Sequence, residues 1–137
     1  MVQQRRNYKM TLVLQPYTKD FTVNGKVMKF PLIVYSAVVL ADRIIVAFSG
    51  DQLSKVFPNF DYQRAIWCYD LNGNILWKVE KPYYIDKNTG EKVSYDQPID
   101  VVGYNDETGK VLALSRRGYE LDPYTGELSN DFDLKWK

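Results

Sequence analysis

The stretch that decides the fold is FTVNGKVMKFPLIVYSAVVLADRIIVAF, residues 21–48. Its first third sets residues 21–23 and 26–30 on either side of Asn24 and Gly25. Asn-Gly favours the type I′ turn that joins adjacent antiparallel strands, so this third reads as a hairpin. Pro31 follows; proline has no N–H to extend a ladder, so it reads as the hairpin's end. Residues 32–40 and 43–48 then crowd valine and isoleucine, at a density that favours strand over helix. Only Ala41 and Asp42 separate them, and they read as an antiparallel pair at the centre of a sheet.

The same pattern repeats outward from this centre. A polar, loose tail is expected over residues 1–7, with Arg5 and Arg6 solvated, and a first strand over residues 8–15, closed by Pro16. Residues 65–70 and 75–80 form a second hairpin pattern around residues 71–74. The two-residue period puts Ile66, Cys68 and Asp70 on one face and Ala65, Trp67 and Tyr69 on the other. In the following strand Ile75, Trp77 and Val79 share a face, with Trp77 inward. Further strands are expected at 83–85 with 92–95, at 99–104 with 110–115, and at 118–121 leading through 122–126 to 127–128. Phe132, Leu134 and Trp136 alternate, which predicts an edge strand at the terminus. Two long connections, residues 49–64 and 81–98, break the pattern, and the first has room for a helical turn around 51–56. The fold class is therefore all-β: a single-domain antiparallel meander over residues 8–137, forming a small barrel or sandwich with blade-like hairpins.

Four turns share one design: Asp86 to Gly90, Asn105 to Gly109, Asp122 to Gly126, and the shorter Asp70 to Gly73. The Asp or Asn oxygen caps backbone N–H groups across the turn, and the closing glycine takes positive φ. Two of these turns sit in longer strings, CYDLNGNILW at residues 68–77 and YELDPYTGEL at residues 119–128. The strings resemble the strand–turn–strand signature of pyrroloquinoline-quinone-type β-propeller blades: a small residue, aspartate, threonine-glycine, then an apolar strand ending in tryptophan. Cys68 and Glu120 occupy the small-residue position, the first copy lacks the threonine, and the second has no tryptophan at the family spacing. The resemblance covers about a third of the chain and implies no catalytic residue. A complete propeller usually needs four or more blades of about forty residues. A chain of 137 residues has room for fewer, so the resemblance implies blade-like hairpins or a partial blade set completed by association.

Composition narrows the function by exclusion. The chain is 45% hydrophobic, enough to build a core without disulfides or metals. It has no histidine, which removes histidine acid–base relays, histidine metal sites and Ser/His or Cys/His triads. Its single cysteine, Cys68, cannot build a thiolate metal site or an internal disulfide, and within a strand it reads as a small buried hydrophobe. Asp70, Asp86, Asp106, Glu120 and Asp122 are numerous enough to pair as catalytic acids, but turns account for most of them. No cofactor is expected. No apolar run reaches membrane-helix length and TLVLQP is too short for a signal core, so a cytoplasmic location is expected.

Net charge is +1, with nine Lys/Arg against four Asp/Glu over residues 1–64 and nine against thirteen over residues 65–137. Eleven tyrosines stand out, a residue suited to half-buried sheet positions and to binding faces. The leading expectation is a non-catalytic protein-binding or inhibitory module, such as a bacterial or phage antagonist or a complex subunit. The two long connections supply its surface, with Arg116, Arg117, Tyr62, Tyr83, Tyr84 and Tyr95 as partner-binding candidates. One alternative is a carbohydrate- or other ligand-binding β domain, which requires exposed Tyr or Trp lining a concave surface beside polar groups; Trp67 with Tyr69 is a candidate platform. Another is a nucleic-acid-binding small barrel, which requires a continuous basic stripe. A hydrolase requires a cleft with close carboxylates.

Overall fold

The computed structural model describes residues 12–48, 61–95, 99–115 and 117–133, without the side chains of Tyr62 and Asp133. The strands are β1 (Leu12–Leu14), β2 (Thr18–Val23), β3 (Lys26–Val39), β4 (Arg43–Phe48), β5 (Ile66–Asp70), β6 (Ile75–Lys78), β7 (Tyr83–Ile85), β8 (Lys92–Ser94), β9 (Val101–Asn105), β10 (Lys110–Leu114), β11 (Arg117–Leu121) and β12 (Leu128–Asp133). A 3-10 turn, Tyr62–Arg64, precedes β5, with the Asp61 carboxylate accepting from the Gln63 N–H. The expected tail at 1–7, the helical turn around 51–56, Arg116, Leu134 and Trp136 lie outside the described residues.

The chain is an antiparallel all-β meander. One sheet has six strands in the order β1-β3-β4-β5-β6, with β2 also on β3. A second has four in the order β12-β11-β10-β9, and β7 pairs with β8 alone. Among the described residues both larger sheets keep free edges, so they form an open sandwich rather than a closed barrel. Val38, Ile45, Ala47, Ile66, Cys68 and Val79 from the first sheet meet Val102, Val111, Ala113, Tyr119, Leu121 and Leu128 from the second in one core. The Ser36 hydroxyl, buried in this seam, accepts from the Val102 N–H at 3.0 Å.

The deciding stretch behaves as read, with one correction. Asn24 and Gly25 both take positive φ, 51° and 80°, as a type I′ turn requires. Pro31 does not end the strand: β3 runs through it for 14 residues. Ladder pairing to β2 steps from Lys29↔Asp20 to Val34↔Thr18, and pairing to β4 starts only at Val34. Pro31 sits in that gap, where no N–H is demanded. Beyond the gap, the β2–β3 arm covers the far face of the first sheet. Phe21, Val23, Met28 and Phe30 pack on Ile44, Val46, Phe48 and Tyr69, and the Phe30 and Tyr69 rings meet edge to face at 5.0 Å. The centre of the first sheet is thus buried on both faces, which is why residues 37–48 are almost uninterruptedly apolar.

The assigned faces of β5 hold, with Ile66 and Cys68 toward the second sheet and Trp67 and Tyr69 toward the arm. Along β6 the expected shared face is buried only toward its end: Ile75 is 49% exposed, Trp77 half-buried, and Val79, just past the strand, enclosed. The repeated turns share one bonding pattern. Gly90, Gly109 and Gly126 donate their N–H to the carbonyls of Asp86, Asn105 and Asp122 at 2.7, 2.8 and 2.9 Å. The side-chain oxygens of those same residues accept from the N–H two positions on. Thr89, Thr108 and Thr125 each accept from the N–H two positions on as well.

Candidate interaction surface

The described ends of the two long connections are tied together by hydrogen bonds. The Gln63 amide donates to the Tyr95 carbonyl at 3.0 Å, tying the 3-10 turn to the segment after β8. The Arg64 guanidinium donates to the Val79 carbonyl at 2.7 Å, tying the same turn to the end of β6. The β7–β8 hairpin lies between them. Its strands pair Tyr83 with Ser94, Tyr84 with Val93 and Ile85 with Lys92.

A two-stranded ribbon is marginal alone, so its order depends on what it docks against. Tyr83 supplies the anchor. Its ring is buried, its hydroxyl donates to the Leu128 carbonyl at 3.0 Å, and its own carbonyl accepts from the Tyr119 hydroxyl at 2.5 Å. The two rings lie 5.5 Å apart. Burial pushes the Tyr119 phenol up to about 12 and raises that of Tyr83, so both remain neutral donors. Lys92 sits 4.4 Å from the Tyr83 ring centroid and 3.6 Å from the Glu80 carboxylate, closing the outer side. Glu80 in turn accepts from the Leu128 N–H at 2.8 Å. Arg117 bonds Asp131 at 2.6 Å.

With Tyr83 facing in, alternation turns Tyr84 out. Tyr84 is 37% exposed and the neighbouring Ile85 40% exposed. The Tyr95 ring meets Tyr84 edge to face at 6.5 Å. Of the expected partner-binding residues, Tyr84 and Tyr95 therefore form the presented surface and Tyr83 its anchor. Arg117 lies along β11 in its ion pair with Asp131, while Arg116 and the Tyr62 side chain lie outside the described residues. The sequence reading missed Gln63, Tyr119 and Asp131, because their roles depend on pairings 14 to 36 residues away along the chain.

The other expected features are occupied by structure. Trp67 donates to the Arg64 carbonyl at 2.8 Å, meets Phe48 edge-on at 4.9 Å and carries Lys78 over its ring at 4.1 Å. Trp77 donates to the Pro123 carbonyl at 2.9 Å and lies against Gly126. Lys26, Arg43, Arg64 and Lys110 make their polar contacts on separate elements, to Leu71, Asp42, Val79 and Glu120. Cys68 is buried, and burial pushes its thiol up to about 11, away from thiolate chemistry. Among the described residues no group of three acids or thiols is placed to hold a metal ion, and no helix is long and apolar enough to cross a membrane. The chain matches no protein-family model, no curated protein and no solved structure.

Proposed function

We propose that this protein is a non-catalytic protein-binding module that meets its partner through the β7–β8 hairpin. The supporting observation is the contrast between Tyr83 and its neighbours. Tyr83 is locked into the core by two hydroxyl–carbonyl bonds, whereas Tyr84 and Ile85, next to it, stay exposed. Alternation puts Tyr84 and Ile85 on opposite faces of the ribbon. Tyr84, met edge-on by Tyr95, is the ring presented opposite the anchored face, where a held aromatic loses little conformational freedom on binding. An inhibitory role against an enzyme or toxin, of bacterial or phage origin, is the finer form of this reading. The buried, unbridged Cys68 suits a reducing cytoplasm. Nucleic-acid binding is supported less, because Arg43, Arg64, Lys110 and Arg117 are each engaged in contacts within the fold.

The test is affinity capture from the native host after nuclease treatment, with wild-type protein and a Tyr84→Asp, Ile85→Asp double variant in parallel. A single stoichiometric partner retained by the wild type and lost by the folded variant is expected. A partner retained equally by both would move the interface elsewhere, and capture of nucleic acid alone in a parallel run without nuclease would overturn the reading.

A further inference from the structure

At the β11–β12 turn, away from the hairpin residues, the surface opens into a cleft of about 380 Å³. We infer that this cleft is a binding site for a neutral pyranose sugar, a second site sharing no residue with the hairpin surface. Its wall includes Tyr124, its floor Val111 and Leu121, and its polar groups Lys110, Glu120 and Ser129. The size falls in the range of small-ligand pockets.

The wall is fixed before any ligand arrives. The Asp122 carboxylate accepts from the Tyr124 N–H at 2.8 Å. The Pro123 carbonyl accepts from the Trp77 indole at 2.9 Å and from Arg43 at 3.2 Å. The Arg43 guanidinium then lies 4.7 Å from the Tyr124 ring centroid and supports that ring from one side. Tyr124 nevertheless remains 70% exposed, the most exposed large hydrophobic residue described. A flat ring backed by a guanidinium and left wet beside a cleft suits the C–H face of a sugar ring.

The polar groups are also set. Glu120 accepts from the Asn130 amide at 3.0 Å and lies 3.8 Å from the Lys110 ammonium. A carboxylate oriented from two sides, with an ammonium and a serine hydroxyl nearby, offers acceptors and donors together. Sugar hydroxyls, which both donate and accept, match that mixture. Anions are disfavoured, because the lining carries two carboxylates, Glu120 and Asp122, against one cation, Lys110. A purely apolar ligand would desolvate those charges without return.

The experiment is a two-dimensional amide NMR titration of the full chain with methyl glucoside, galactoside, mannoside and N-acetylglucosaminide, with spermidine as a cationic comparison. The expected result is saturable, stereoselective shifts at Gly109, Glu120, Tyr124 and Ser129 from at least one pyranoside. Tyr124→Ala and Glu120→Gln are each expected to weaken binding about tenfold with unchanged melting temperature. No saturable shift from any pyranoside overturns the inference, as does saturation by spermidine alone or binding indifferent to Tyr124→Ala. None of these outcomes bears on the hairpin, so the two readings fail separately.

Discussion

Replacing Gly126 by alanine tests how the two sheets are joined. Gly126 has φ +81°, and a Cβ there would lie 2.6 Å from Trp77 Cε3, 2.9 Å from Cδ2 and 3.2 Å from the Lys78 carbonyl. Backbone strain for an L-residue in this region costs about 1–2 kcal/mol. Moving the indole costs a further 1–3 kcal/mol or so in overpacking. Its hydrogen bond to Pro123 is worth about 1 kcal/mol. The expected loss for Gly126→Ala is therefore about 3–6 kcal/mol, a large share of the stability of a small domain. Gly90→Ala is the control, because Gly90 has φ +75° but nothing within 4 Å of the added carbon. It bears the strain alone, about 1–2 kcal/mol. Urea unfolding followed by far-ultraviolet circular dichroism reads both without relying on Trp77 as the probe. Equal losses at the two glycines would refute the claim that Trp77 docking joins the sheets.

Further outcomes follow from the core and its polar seam. Ser36→Ala leaves the buried Val102 N–H without its acceptor and is expected to cost about 1–3 kcal/mol in urea unfolding; a neutral result would remove Ser36 from the seam. Alkaline pH should unfold the protein. Burial raises Cys68 from 9.0 to about 11, and Tyr69 and Tyr119 from 10.0 to about 12. Each favours the neutral form in the folded state, so their contribution is whole below pH 9 and drains away between pH 9 and 12. Stability measured flat across that window would contradict their burial. Cys68 should resist a thiol-specific chromogenic reagent in the folded protein and react fully in urea, whereas rapid labelling without unfolding would place it at the surface.

Much of the fold was legible because it is written locally. Asn24 and Gly25 announce their turn, and the repeated Asp or Asn to Gly turns announce theirs, because both depend on backbone preferences within five residues. Pro31 misled for the opposite reason. Whether a proline breaks a strand depends on whether a neighbour needs its N–H, and that neighbour, β2, steps its register at this point. The density of valine and isoleucine in residues 37–48 marked a central strand pair. That both of its faces are covered depends on where the β2–β3 arm folds, which no local pattern contains.

The candidate sites divide the same way. Tyr83 and Tyr84 are adjacent tyrosines, yet one is an anchor and the other a presented ring. Strand alternation dictates that they differ, but only the position of Leu128, 45 residues on, decides which one is inside. Tyr124 shows the converse. As a turn residue it carries no signal of its own. It gains a supported, exposed face because Arg43, 81 positions earlier in the chain, reaches the neighbouring Pro123 carbonyl and lies against the ring. Residue type sets what a side chain can bind, and the long-range pairing of the sheets sets which copies of that type remain available to do it. In a chain with eleven tyrosines, that selection is the functional information, and it resides in contacts such as Trp77 on Gly126 that fix how the two sheets meet.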